Sequence, residues 1–202
     1  MRTTCVTGVV LGACLAVVVA GCASRRGGES RALSTDVLVE TSLGDIVVRL
    51  DPAHAPVSVE NFLRYVDRGA YDGTIIHRVV PGFVIQGGGH LPDLTELPGN
   101  DPIVNEWGNG LKNARGTIAM ARDTGPDTAT RQWYINLADN ARLDIGREVS
   151  GGAGYAVFGA VVEGVEVVDA IASVATYDRP DLELLNIPVE PIMIRSVRRV
   201  GR

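Results

Sequence analysis

The sequence predicts a mainly β domain, a closed eight-stranded antiparallel barrel capped by two helices, over residues 36–202. Three observations carry this. Eight short apolar runs rich in Val, Ile, Tyr and Thr recur from Asp36 onward, with Gly, Pro, Asp or Asn in the gaps. Only two stretches show helical spacing instead. Such a set of strands is most simply satisfied by a sheet that closes on itself, because closure removes the exposed edges.

Taken in order, the runs are 37–41, 45–50, 74–80, 83–88, 116–122, 132–137, 155–162 and 191–200. Leu43-Gly44-Asp45 marks a tight hairpin between the first two. The first helix starts at Pro56, a residue suited to a first helical position, and places Val59, Phe62, Leu63 and Val66 on one face before Gly69. The second follows Gly164, with Val165, Val168 and Ala172 on one side, and fades at Val174. Between Gly89 and Lys112 lies a polar loop with Pro92, Pro98 and Pro102, and loops of that length usually carry function.

Residues 1–21 read as an export signal. Arg2 supplies the positive start, and Val6 to Ala20 is an uncharged apolar run, too short for a bilayer span of about 20 residues but suited to a secretory h-region. Val19-Ala20-Gly21-Cys22 resembles the lipobox of bacterial lipoproteins, in which the Cys becomes the first residue and is acylated. Cys5 and Cys14 fall in the removed segment, so the mature fold holds no disulfide. Two or more acyl chains give durable attachment where one does not. The 22–35 segment after cleavage is polar, contains Gly-Gly, and reads as a tether reaching about 20 Å. The expected address is the cell envelope: the periplasmic face of an outer membrane, or the outer face of the plasma membrane in a single-membrane host.

Charge and chemistry narrow the function. A net charge of -5 and pI near 5.2 argue against a nucleic-acid surface, which needs clustered Lys and Arg. His54, His77 and His90 lack metal-ligand spacing, and no H-E-x-x-H occurs. The mature chain has no Cys nucleophile and no G-x-S-x-G. Gly87-Gly88-Gly89 and Gly151-Gly152-Ala153-Gly154 lack the framework of a phosphate loop. No metal and no cofactor are expected.

What remains is a concentration of one cation, apolar rings and amide side chains in two segments, Ile76 to Gly88 and Gly116 to Arg122 followed by Gln132 to Asn136. These segments resemble the signature regions of the cyclophilin family of peptidyl-prolyl cis-trans isomerases, in particular its bacterial branch. The flanks Asn61-Phe62-Leu63, Asn105-Glu106, Leu111-Lys112-Asn113 and Tyr155 to Gly159 agree, so the resemblance spans about Asp36 to Val200.

The resemblance implies proline-containing polypeptides as partners, and rotation about X-Pro bonds as the reaction. Arg78 matches the catalytic Arg, Phe83 the ring flooring the proline pocket, and Gln86 the amide that orders Arg78 and the substrate carbonyl. Val84, Ala121, Arg122, Gln132, Tyr134, Leu143 and Tyr155 match substrate-binding positions, with the backbone of Ala121 and Arg122 pairing with an extended peptide. Met120 is expected to face the core. Four positions depart from the family: Val84 replaces Met, Trp133-Tyr134 replaces Phe-Phe and sets a hydroxyl beside the proline site, and Arg142 stands where the family carries Trp or Phe. A second cation near Arg78 and weak binding of cyclosporin-type inhibitors follow. The expected protein is a monomeric, membrane-anchored isomerase of folding envelope or secreted proteins; the alternative is a proline-peptide binding or chaperone module with little turnover.

Overall fold

The computed structural model describes residues 1–3 and 35–201. Apart from residues 1–3 and Thr35, the expected signal peptide, the lipid-bearing Cys22 and the tether lie outside the described residues.

Eight strands form the barrel: β1 (Asp36–Thr41), β2 (Gly44–Leu50), β3 (Ile75–Val80), β4 (Val84–Gly87), β5 (Thr117–Met120), β6 (Trp133–Asn136), β7 (Val157–Glu163) and β10 (Ile192–Arg199). Around the wall they run β1-β10-β3-β4-β6-β5-β7-β2, every neighbouring pair antiparallel. Period-two alternation sends one set of side chains inward: Val37 and Val39, Ile46, Val48 and Leu50, Ile118 and Met120, Trp133 and Ile135 are all buried. Thr41 ties the first hairpin by donating its hydroxyl to the Gly44 carbonyl and accepting from the Leu43 amide.

Two helices, α1 (Pro56–Val66) and α2 (Val165–Ala172), close the barrel ends. From α1, Phe62 sits 5.3 Å from the rings of both Tyr71 and Phe158, an edge-tilted cluster that continues through Tyr71 to Trp133. From α2, Val168 and Ile171 join the same core. The residue before α1, Ala55, offers no side-chain cap. Glu106, far along the chain, accepts instead from the amides of Val57 and Ser58 and from the Ser58 hydroxyl. A carboxylate there satisfies orphan donors and meets the positive end of the helix dipole.

The sequence did not predict a further hairpin, β8 (Thr176–Arg179) with β9 (Leu184–Pro188), which lies outside the barrel. Its strands are short and, apart from Ile187 and Pro188, no more than half-buried, so no alternation of apolar and polar positions marks it, and Pro180 interrupts the run.

Candidate active site

The outward residues of five adjacent strands form one row. Arg78 on β3 pairs with Gln86 on β4, Gln86 with Tyr134 on β6, Tyr134 with Ala119 on β5, and Ala119 with Val157 on β7. Two register shifts build this row. On β3, Ile76 pairs with Gly87 and Arg78 with Gln86, which leaves His77 as an extra residue. Such a bulge re-aims the next side chain, here Arg78. On β7, Phe158 is the extra residue between Gly159 and Val157 and stays in the core.

Val84, Ala119, Tyr134, Leu143 and Val157 make a small apolar cluster, separate from the barrel core, on which Phe83, Ala121 and Tyr155 pack. Above it lies a groove of about 230 Å³, lined by Arg78, Phe83, Val84, Gln86, Ala121, Arg122, Tyr134, Leu143 and Tyr155. Nine of the ten expected site residues therefore meet in one place. The tenth, Gln132, stands two residues before Tyr134, just ahead of β6, about 7 Å away at strand spacing. It lines an adjoining pocket with Gln86, Glu96, Ala121, Arg122, Asp123, Thr128 and Thr130.

Arg78 is half-buried and forms no salt bridge among the described residues. One of its guanidinium nitrogens donates to the Gln86 amide oxygen at 3.3 Å, Gln86 donates to the Gln132 amide oxygen at 2.9 Å, and Gln132 to Glu96 at 3.3 Å. Burial lowers the Arg78 pKa from its usual value, partly opposed by Tyr155; an Arg remains charged through such a shift. Its guanidinium carbon is 5.9 Å from the centre of the Phe83 ring.

Arg122 uses its fork on the fold. It donates to the carbonyls of Asp123, Thr124, Gly125, Ser150, Ala153 and Gly154, and its guanidinium lies 4.4 Å from the Tyr155 ring centre. It thereby ties the 123–125 and 150–154 loops to the Tyr155 wall. The Ala121 amide is donated to the Gln132 carbonyl, while the Ala121 carbonyl and the Arg122 amide have no intramolecular partner among the described residues. They belong to one trans peptide and so point to opposite sides of the chain, which leaves the Arg122 amide, turned away from Gln132, as the donor this edge offers to a passing strand.

The Tyr134 hydroxyl does not face the groove, contrary to the sequence expectation. It donates to the Asn113 side-chain oxygen at 2.7 Å, and burial pushes its pKa well above 10. Asn113 also accepts from Asn136 and donates to Asp144 and to the Tyr155 carbonyl. Asn140 donates to the backbone carbonyl of Phe83, tying down the chain that carries the ring. Sequence reasoning gave neither Asn a role, because a polar residue in a loop shows its partners only after folding. Met120 faces the core. Arg142, in the 141–143 turn, is exposed and places its guanidinium carbon 4.6 Å from the Phe83 ring centre.

The comparisons agree with this geometry. The profile "Cyclophilin type peptidyl-prolyl cis-trans isomerase/CLD" matches residues 36–199. Peptidyl-prolyl cis-trans isomerase A of Dickeya dadantii is 51% identical over 169 residues, 84% of this chain and 86% of that one. Peptidyl-prolyl cis-trans isomerase B of Escherichia coli is 47% identical over 161 residues, 80% of this chain and 97% of its own. A crystal structure of a Cryptosporidium parvum cyclophilin-type isomerase, in the presence of the dipeptide Ala-Pro, superposes with a TM-score of 0.68 at 25% identity, covering 83% of this chain and 99% of that one. Fold, groove and relatives define an isomerase acting on prolyl bonds. This chain belongs to the cyclophilin-type peptidyl-prolyl cis-trans isomerase family.

Proposed function

We propose that this isomerase works as a monomer from a lipid anchor on Cys22, on the periplasmic or outer face of an envelope membrane. Its substrates are X-Pro bonds of envelope or secreted proteins as they fold, and Arg78, Phe83 and Gln86 perform the step. The anchor rests on the apolar run ending in Val19-Ala20-Gly21-Cys22. The substrate class rests on the groove and on the Ala-Pro dipeptide named with the Cryptosporidium structure.

Rotation about an X-Pro bond crosses about 18–20 kcal/mol because twisting destroys amide resonance. No bond breaks, so no acid, base or nucleophile is required. The catalyst must favour the twisted amide over both planar forms. In the twisted form the prolyl nitrogen regains its lone pair and can accept a hydrogen bond. A guanidinium held over that nitrogen donates to it only then. The observation that carries this reading is Arg78 itself, held by Gln86 at the groove and paired with no carboxylate among the described residues. Phe83 gives the prolyl ring an apolar face, and the Arg122 amide donates to the extended peptide.

Exchange of an Ala-Pro peptide by the full chain in detergent, beside Arg78→Ala, tests the chemistry. Loss of roughly 10²–10³-fold in kcat/KM is expected, the usual cost of removing a transition-state donor; an unchanged rate overturns the role of Arg78. For the anchor, mass spectrometry of the membrane fraction should show acylated Cys22, and Cys22→Ser should release the protein. Membrane-bound protein with unmodified Cys22 overturns it.

A further inference from the structure

We propose that the groove selects proline segments in which an acidic side chain neighbours the prolyl residue, and that Arg142 makes this selection. The inference rests on the isomerase reading of the groove and adds a substrate preference to it.

Two guanidiniums stand over one ring: Arg142 at 4.6 Å and Arg78 at 5.9 Å from the Phe83 centre. Neither enters an ion pair among the described residues. The carboxylates on the same stretch of chain are committed elsewhere, Asp144 accepting from the backbone and side chain of Asn113 and Asp139 from the Arg115 amide. No acidic residue lines the groove, whereas Arg122 joins Arg78 as a second cation in its wall, with Arg142 beside them over the Phe83 ring; carbonyls satisfy the hydrogen bonds of Arg122 without neutralising its charge. In a chain of net charge -5 this is a local reversal of sign. A cleft lined by one sign of charge raises the local concentration of its opposite.

The charges are also segregated along the strand. Phe83 and Arg142 mark one end of the groove, and the adjoining pocket beyond Gln86 carries two carboxylates, Glu96 and Asp123, against one cation, Arg122. Phe83 and Gln86 lie three residues apart, about 10 Å along an extended chain. A peptide whose prolyl ring rests on Phe83 therefore presents a flanking residue to Arg142, and a carboxylate at that place is attracted there and repelled from the far pocket. A flanking Lys meets the reverse. Selection of this kind combines a favourable contact with a repulsive one.

The test compares kcat/KM of the full chain for peptides with Glu, Ala or Lys immediately before or immediately after proline, in the wild type, Arg142→Gln and Arg142→Glu. At one of the two flanks the wild type should favour Glu over Lys by up to about tenfold at low salt, as expected of exposed charge pairs, and by less than about twofold at about 0.5 M salt. The Glu:Lys ratio should approach one in Arg142→Gln and invert in Arg142→Glu. Because it is a ratio, a general loss of activity in a variant does not disguise it. A wild-type ratio within about twofold of one at both flanks at low salt overturns the proposal, as does a preference that survives in Arg142→Gln. If no peptide is accelerated by the wild type, the isomerase reading fails, and calorimetric affinities for the same peptides then read the Glu:Lys ratio directly.

Discussion

The guanidinium of Arg142 lies closer to the Phe83 ring than that of Arg78 does, 4.6 Å against 5.9 Å. The residue beside the Phe83 ring is thus a cation on an exposed turn, where the family carries an aromatic ring. A bulky apolar ligand gains little from such a neighbour. Arg142→Trp should therefore tighten binding of a cyclosporin-type cyclic peptide by about tenfold or more, the scale of one added aromatic contact. Fluorescence titration of both proteins checks this, and equal affinities would remove Arg142 as the cause.

Arg78→Lys keeps the charge and loses the fork. Gln86 can no longer hold a planar group, and the rigid donor geometry is gone. The expected kcat/KM is at least about 10²-fold below wild type, not a mild loss, since misplacing a transition-state donor costs nearly as much as removing it. Gln86→Leu should lower kcat by a smaller factor, about tenfold, because it frees Arg78 without deleting it. Peptide exchange kinetics separate the two.

Glu106 should matter for stability and not for rate. Its carboxylate accepts three hydrogen bonds at the start of α1. Glu106→Ala should cost about 1–2 kcal/mol, within the range measured for lost helix caps, with kcat/KM within about twofold of wild type as for substitutions that leave the site's geometry in place. Urea unfolding and the exchange assay together decide.

Acid should weaken the fold through His77. It is buried with its ring centre 4.3 Å from that of His90, and its Nδ1 has no partner among the described residues. Burial first, then the charges of His90 and Arg78, hold its pKa down to about 3. The unfolded chain protonates this His near pH 6.5, and the native one only near 3. Between those values the unfolded state binds more protons, so stability falls as pH falls, by about 1.4 kcal/mol per unit from this residue alone. Denaturation at a series of pH values should show a shallower slope for His77→Gln than for wild type over that window.

Arg122→Met should loosen the Tyr155 wall by releasing six carbonyls. Because Arg122 supports the groove without a free donor for the prolyl nitrogen, KM should rise more than kcat falls, the pattern of lost uniform binding. Michaelis analysis of the variant tests the split.

Much of this architecture could be read from residue order, because each strand's own alternation marks it. All eight barrel strands correspond to runs such as 45–50 and 132–137, and both helices begin where Pro56 and Gly164 indicated. The short β8–β9 hairpin left no such mark. In the site, Arg78, Phe83 and Gln86 were legible through their neighbours, but the bulge at His77 that aims Arg78 was not, since a register shift belongs to two strands at once. For the same reason the distant partners of Tyr134, Glu106 and Arg122, among them Asn113, Ser58 and Ser150, appeared only with the fold, each at least 21 positions away. The Gly89 to Lys112 loop, expected to be functional, supplies helix-capping Glu106 and the Glu96 contact to Gln132.

In the ring of eight strands, β1 is four places from β6 in either direction. The strand that receives the chain from residue 35 is therefore diametrically opposite the strand bearing Tyr134 at the centre of the groove's row. A load applied through the N-terminal side of Asp36 pulls on the β1–β2 and β1–β10 ladders, and none of the five strands of that row pairs with β1. The strand where the described barrel begins and the strand at the centre of the groove's row thus share no ladder, so strain introduced at Asp36 reaches the groove only through intervening strands.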